Sequence, residues 1–332
     1  MADDVTFVVP VRDEQATVGA ALESLAGQSV GAERLEVLVY DGGSTDRTRA
    51  ICRSFADRVP WRRFAVIENP RGTVPYALNA GLAACRTRWF GRVDGRVTLS
   101  SNYVEACLDA LAGSPPRAAA GGRFAAHAEG RVAASIAAAV THSVGVGRGF
   151  RTRRTAGEVP HHPFALWRAD DVRAFGGFAP ALTRNQDDEF SMRAARAGGR
   201  ILLVPDAVVT YRPRERLRGL AAQYFQYGLW KSAVAREHGG FPPQSLAPAG
   251  VLAGAAGSAG LAVAGRSRRP LQALTAAYLA AGALASRHQA GAEPLATGCS
   301  LATIHLAYGG GLLAGAIRPS VTATRLGRGR VR

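Results

Sequence analysis

Apolar positions along this chain fall into two alternating periods. Val5–Val11 is an almost unbroken apolar run ending through Pro10, which reads as a strand buried on both faces. Residues 17–28 then place Val18, Ala21, Leu22 and Leu25 on one helical face. A second run, residues 35–40, stops at Asp41. Gly42 and Gly43 allow a tight turn there, and Ser44 and Asp46 are candidate caps for a helix over residues 48–56. The spacing next predicts a strand over 64–68, a helix over 75–85, and a strand over 89–93 that ends at Asp94. Strands alternating with helices predict an α/β fold built on a mostly parallel sheet.

Beyond Asp94 the pattern predicts a helix over 102–111, broken by Ser114-Pro115-Pro116, and a strand over 118–124. Residues 145–158, rich in Gly, Arg and Thr, read as a mobile loop. Residues 201–205 and 207–211 read as two short strands. Tyr224, Tyr227 and Trp230 share one face of a helix over 220–236. After Pro242-Pro243 the composition shifts, and residues 246–265, 270–286 and 295–317 contain no charge. Those lengths suit membrane-spanning helices rich in Ala and Gly; a small soluble bundle is the other reading. If all three cross from a cytoplasmic start, Arg266-Ser267-Arg268-Arg269 and the Arg-rich tail both land outside, against the positive-inside tendency. An interfacial first piece followed by two crossings returns both to the cytoplasm. The expected division is a domain over 1–240, a hydrophobic helical membrane-associated region over 241–320 and a basic tail over 321–332.

Charge and cysteine usage narrow the class. Of 332 residues, 41 are Lys or Arg against 25 Asp or Glu, a formal net charge of +16. The arginines are spread along the chain and aromatic residues make up only 7%, so a base-stacking nucleic-acid surface is not expected. Cys52, Cys85, Cys107 and Cys299 form no metal-binding or disulfide spacing, which fits reduced thiols. The start is acidic, and its first apolar run is too short for a secretion signal, so the N-terminal part is expected in the cytoplasm.

The candidate chemistry lies at strand and helix ends. A carboxylate at the carboxyl end of a parallel strand, beside free helix amides, sits where open α/β sheets bind nucleotides, which makes Asp41 and then Asp94 candidates; closing a turn is the alternative for Asp41. Asp187, Asp188 and Glu189 precede a helix whose dipole favours anions. His161 and His162 are adjacent in a loop and share no face, so a surface or acceptor contact outweighs a metal site, with His162 kept as a candidate extra ligand.

Taken in order, Val8-Val9-Pro10-Val11 with Glu14, the turn from Asp41 to Asp46, Asp94, Phe175-Gly176-Gly177-Phe178, the acids at 187–189 and Ala197-Gly198 resemble the family 2 glycosyltransferases. With the Tyr227-Gly228-Leu229-Trp230-Lys231 segment, the likeness is greatest to the succinoglycan-biosynthesis type, over about residues 5–238. The resemblance implies a GT-A fold and an inverting enzyme. It implies that Pro10, Val11, Arg12, Glu14, Asp41, Gly42, Asp94 and Arg96 line the donor nucleotide, with Asp41 on uracil. Asp94 would open a D-x-D motif holding a divalent metal, Mn2+ or Mg2+, on the diphosphate. Arg96 stands where that motif has its second acid, so one metal carboxylate is missing and Arg96 is itself a candidate diphosphate contact. Asp187 matches the general base, Gln186 replaces the usual Glu, and Asp188 is the alternative base. Gln223, Gln226 and Trp230 match the acceptor-side segment, with Gln226 where many members have Arg. The implied partners are a UDP-sugar, a lipid-linked or polysaccharide acceptor of cell-surface polysaccharide synthesis, and the cytoplasmic membrane, with no nucleic acid. Two other classes stay open: a non-catalytic nucleotide-sugar-binding protein, given Arg96 and Gln186, and a basic nucleic-acid-binding protein.

Overall fold

The computed structural model describes residues 3–240 and 243–317. Its strands are β1 (Val5–Val11), β2 (Leu35–Asp41), β3 (Arg63–Glu68), β4 (Trp89–Arg92), β5 (Val97–Leu99), β6 (Ala118–Ala126), β7 (Gly157–Glu158), β8 (Trp167–Arg168) and β9 (Arg200–Tyr211). Its helices are α1 (Val18–Ala26), α2 (Thr48–Arg53), α3 (Val74–Ala84), α4 (Tyr103–Ala112), α5 (Arg131–Thr141), α6 (Ser143–Val146), α7 (Ala169–Ala174), α8 (Gln186–Arg196), α9 (Leu217–His238), α10 (Ala247–Val263), α11 (Arg269–Ser286) and α12 (Pro294–Ile317). Contacts divide the described residues into two units. The first holds residues up to Ala125 together with Arg153–Tyr211; the second holds Ala126–Thr152 and the residues from Arg212 onward.

The first unit is built on a five-stranded sheet of order β3-β2-β1-β4-β8, in which the first four strands are parallel and β8 is antiparallel at the edge. Every residue of β1 and β2 is buried, as expected of strands covered on both faces. The register sets Val11 beside Asp41 and Asp41 beside Glu68, so these strands end level and present their loops along one edge. A second sheet, of order β5-β9-β6 with β7 also on β9, completes the unit. The two short strands expected over 201–211 are one strand, β9. Its Pro205 falls between the stretches paired with β7 and with β5. The cap expected of Ser44 is also different: Asp46 accepts the Thr48 amide at 2.9 Å, while Ser44 turns to Asp41.

Helix α8 is clamped by aromatic packing. Phe190 meets Phe178 with ring centroids 4.8 Å apart and Trp167 edge-on at 5.5 Å. The stretch expected as a mobile loop over 145–158 carries the end of α6 and the short strand β7, and Arg154 Nη1 donates to the Phe124 carbonyl at 2.6 Å.

The second unit is helical. Helices α9 and α12 lie close together because Gly228 faces the Tyr308 carbonyl and Gly311 faces the Phe225 carbonyl; a Cβ at either glycine would overlap that backbone. Ile136, Val140, Leu220, Tyr224, Leu301 and Ile304 form the core. Helix α5, absent from the sequence expectation, supplies two of these, Ile136 and Val140. Helix α10 has no buried residue. Among the described residues one helix, Pro294–Ile317, is long and apolar enough to cross a membrane. The two-crossing expectation requires α11 as well, which does not reach that hydropathy. The boundary expected at 240 follows α9, and the tail expected at 321–332 lies outside the described residues.

Candidate active site

The loops that follow β1 and β2 are stitched to each other. Asp13, with φ of 51°, receives the Thr45 amide on its carboxylate at 2.8 Å, and its own amide donates to Ser44 Oγ at 3.0 Å. The Glu14 amide donates to Thr48 Oγ1 at 2.8 Å and the Gln15 amide to Asp46 Oδ2 at 3.1 Å. Gly42 closes the seam, donating to the Val11 carbonyl at 2.8 Å. Pro10 and Val11 end the buried strand beneath this seam, and Arg12 above it is largely exposed. Short polar side chains answering opposite backbone amides make the edge rigid before any ligand arrives.

Asp41 is buried at the end of β2, and its two oxygens are divided between neighbours. Oδ1 accepts from the Ser44 amide at 3.1 Å and from the Ser44 hydroxyl; Oδ2 accepts from Arg49 Nε at 2.8 Å and Nη2 at 2.6 Å. Burial pushes its carboxyl up, but the Ser44 and Arg49 hydrogen bonds outweigh it and hold the group below the usual carboxylate range.

Asp94 lies just past β4, where Arg92 grips both of its oxygens, Nε to Oδ1 at 2.6 Å and Nη2 to Oδ2 at 2.9 Å. Two residues on, Arg96 turns toward the first loop and donates through Nε to Glu14 Oε1 at 3.1 Å. Gly95 makes this approach possible, since a Cβ there would overlap the Glu14 carboxylate. Burial opposes the Arg96 charge, yet the Glu14 and Asp94 carboxylates keep its pKa above the ordinary value. This donor set does not fit a D-x-D cation site: the first acid is held by a guanidinium fork and the second position is itself a guanidinium. Among the described residues no group of three or more His, Cys, Asp or Glu side chains gathers as a metal site.

Asp187 sits half-buried in the first turn of α8, and His161 Nε2 lies 3.6 Å from its Oδ2. Burial favours the protonated carboxyl, but the His161 and Arg92 charges and the first amides of α8 outweigh it and lower the pKa. A carboxylate kept ionised at neutral pH is able to accept a proton. His161 Nδ1 in turn contacts Ser191 Oγ at 3.1 Å, and Ser191 stands one turn after Asp187 on the same helix. Asp188 is also half-buried in that first turn. Gln186, where a Glu was expected, is buried.

Of the paired histidines, then, it is His161 that meets Asp187. His162 is buried, with Nε2 2.8 Å from the Gly122 carbonyl and Nδ1 accepting the Phe164 amide at 3.2 Å; burial lowers its pKa to about 4. Both ring nitrogens are thereby committed to backbone rather than to a ligand. Gln223, Gln226 and Trp230 lie on α9 of the second unit, where Gln223 Nε2 donates to the Tyr227 hydroxyl at 2.9 Å, Gln226 is exposed and Trp230 is half-buried.

Sequence reasoning passed over Arg92 and Arg49, and weighed His161 only as a surface or acceptor contact. Arg92 was legible, because two residues before Asp94 on an extended segment is the same side of the chain. His161 became legible only with the turn of α8 that brings Asp187 and Ser191 to it.

Comparisons with known proteins show the family and the fold. Residues 6–172 match the family described as Glycosyl transferase family 2. The chain is 29% identical over 256 residues to the succinoglycan biosynthesis protein ExoA of Rhizobium meliloti, covering 73% of this chain and 75% of that protein. It is 27% identical over 266 residues to the pre-mycofactocin glycosyltransferase of Mycobacterium tuberculosis, covering 76% of this chain but spanning only 51% of that protein's length. Among solved structures, the mannosyltransferase PcManGT from Pyrobaculum calidifontis, in complex with GDP-Man and Mn2+, superposes with a TM-score of 0.61 at 20% identity, over 95% of this chain and 89% of that one; at that identity the likeness is one of fold, the GT-A arrangement. With half of its length matched by the family and its acids set along the carboxyl edge of a parallel sheet, the chain belongs to glycosyl transferase family 2 and is a glycosyltransferase.

Proposed function

We propose that this glycosyltransferase moves a sugar, with inversion, from a nucleoside-diphosphate donor, a UDP-sugar, to a lipid-linked or polysaccharide acceptor at the cytoplasmic face of a membrane, in the synthesis of a cell-surface glycan. The observation that carries the reading is the position of Arg92: it grips Asp94 at the donor edge, and its charge also acts on Asp187. Donor and base groups thus belong to one electrostatic set within the first unit.

In this reading the seam between the first two loops, with Asp41, Gly42, Arg12 and Glu14, receives the nucleoside, and Asp94 and Arg96 face the diphosphate. The ionised Asp187 takes the proton of the acceptor hydroxyl. The acceptor oxygen bonds to the anomeric carbon as the bond from that carbon to the β-phosphate oxygen breaks, and the electron pair leaves with the nucleoside diphosphate. No covalent sugar intermediate is required. Gln223, Gln226 and Trp230 are assigned to the acceptor side.

Membrane association is supported by the second unit. Helix α12 has the length of a span, and α10 carries no charge and has no fully buried residue, with Val263 90% exposed. The name of ExoA ties that relative to succinoglycan biosynthesis, which supports a polysaccharide acceptor here. Incubating the detergent-solubilised chain with radiolabelled UDP-, GDP- and dTDP-sugars and a bacterial lipid extract tests the proposal. Label passing from one UDP-sugar into the organic phase, with inverted configuration, is expected; transfer only from GDP- or dTDP-sugars, or only to water, refutes it.

A further inference from the structure

We infer that arginine side chains, rather than a bound divalent cation, take up the charge of the donor's diphosphate in this protein, with Arg96 as the phosphate-gripping residue. The inference rests on the donor reading above and departs from the metal that a D-x-D motif implies.

Three features of the strand end after β4 converge on it. Position 96 carries a guanidinium where a second metal carboxylate would stand, and the loop is shaped around it, because Gly95 leaves room for the Glu14 carboxylate that orients the guanidinium through Nε. Among the described residues that Nε is the one Arg96 nitrogen in a hydrogen bond, so both terminal nitrogens remain to meet two oxygens of a phosphate. Its side chain is 29% exposed, so it is within reach of a ligand.

The second feature is Asp94. A cation there would have to share a carboxylate whose two oxygens already face the Arg92 fork, and would sit beside two fixed positive charges. The third is that, among the described residues, no third acid or histidine gathers at this edge to complete a hard-cation shell. A nucleoside diphosphate reverses the argument: its negative charge is attracted by Arg92 and Arg96 without displacing either partner, and the departing diphosphate finds the same charges as the sugar leaves.

The test is calorimetric binding of UDP and of uridine to the full-length detergent-solubilised chain, in EDTA and in Mn2+, for the native protein and for Arg96→Gln, Arg96→Lys and Arg96→Asp, each checked for native thermal unfolding. The expected results are UDP affinity within twofold in EDTA and Mn2+, at least tenfold weaker UDP binding in Arg96→Gln with uridine unchanged, an intermediate loss in Arg96→Lys, and UDP binding that requires Mn2+ in Arg96→Asp. Native UDP binding that vanishes in EDTA and returns with Mn2+, or undiminished affinity in a folded Arg96→Gln, overturns the inference while leaving the donor reading intact. Absence of UDP, GDP and dTDP binding in both conditions overturns the donor reading and this inference together.

Discussion

Arg193 ties the first turn of α8 to the glycine turn that precedes it. Its guanidinium donates Nε to Glu189 Oε1 at 2.6 Å and Nη2 to Oε2 at 2.8 Å, and it reaches the Gly177 carbonyl at 2.7 Å and the Phe175 carbonyl as well. Glu189 is fully buried, two residues after Asp187 in the first turn of α8, and the carbonyls belong to the turn at Gly176 and Gly177, whose φ values are 85° and 64°. Arg193→Met keeps most of the aliphatic stem but leaves a buried carboxylate without its guanidinium and two carbonyls without their donor. Breaking such a pair from one side costs about 3–5 kcal/mol. For a unit of this size that lowers the unfolding midpoint by roughly 6–20 °C. Thermal unfolding followed by circular dichroism measures it. The double variant Glu189→Leu/Arg193→Met removes both charges and is expected to recover at least half of the loss. A single variant melting within about 2 °C of the native protein, or a double variant worse than the single, refutes the claim that this pair fixes the start of α8.

Three further outcomes are expected. His162 is buried neutral, with a pKa lowered to about 4 from 6.5; because its folded value lies below its unfolded one, its stabilisation is complete above pH 6.5 and is lost as the pH falls toward 4, about 3 kcal/mol in all, so urea titrations at pH 7.5 and 4.5 should differ by about that much more in the native protein than in His162→Phe. Since Asp187 is held below the ordinary carboxylate range with His161 as one cause, the acid limb of kcat/KM lies below that range in the native protein and moves to higher pH in His161→Gln; an unmoved limb would separate His161 from Asp187. Gly228→Ala sets a methyl group against the Tyr308 carbonyl and should cost about 1–3 kcal/mol in the second unit, seen as a lower midpoint in detergent with nucleotide binding retained.

The sequence carried the parallel sheet and its order of loops almost completely, because buried parallel strands are unbroken apolar runs and their ends are marked by Asp41 and Asp94. What it hid has physical causes. Helix α5 is built largely of alanine, whose weak hydrophobicity does not make the segment stand out as an apolar run, and β9 reads as two pieces because Pro205-Asp206 interrupts its hydrophobic pattern without interrupting the strand. At the site, the strand-end acids were visible as residues, but their partners were not. Pairing Arg92 with Asp94, Glu14 with Arg96 and His161 with Asp187 spans from 2 to 82 positions along the chain, and only the fold brings the distant pairs together. His162 illustrates the converse: next to His161 in sequence, it points the other way and is spent on backbone hydrogen bonds.

The proposed role of Asp187, removing the acceptor's proton, is tested most directly by sugar transfer in Asp187→Asn measured beside its UDP affinity. The substitution keeps size and the α8 turn while removing the base. Transfer is expected to fall by at least about a hundredfold, with UDP affinity within threefold of native. Transfer within tenfold of native, or loss of UDP binding in parallel with transfer, would contradict it.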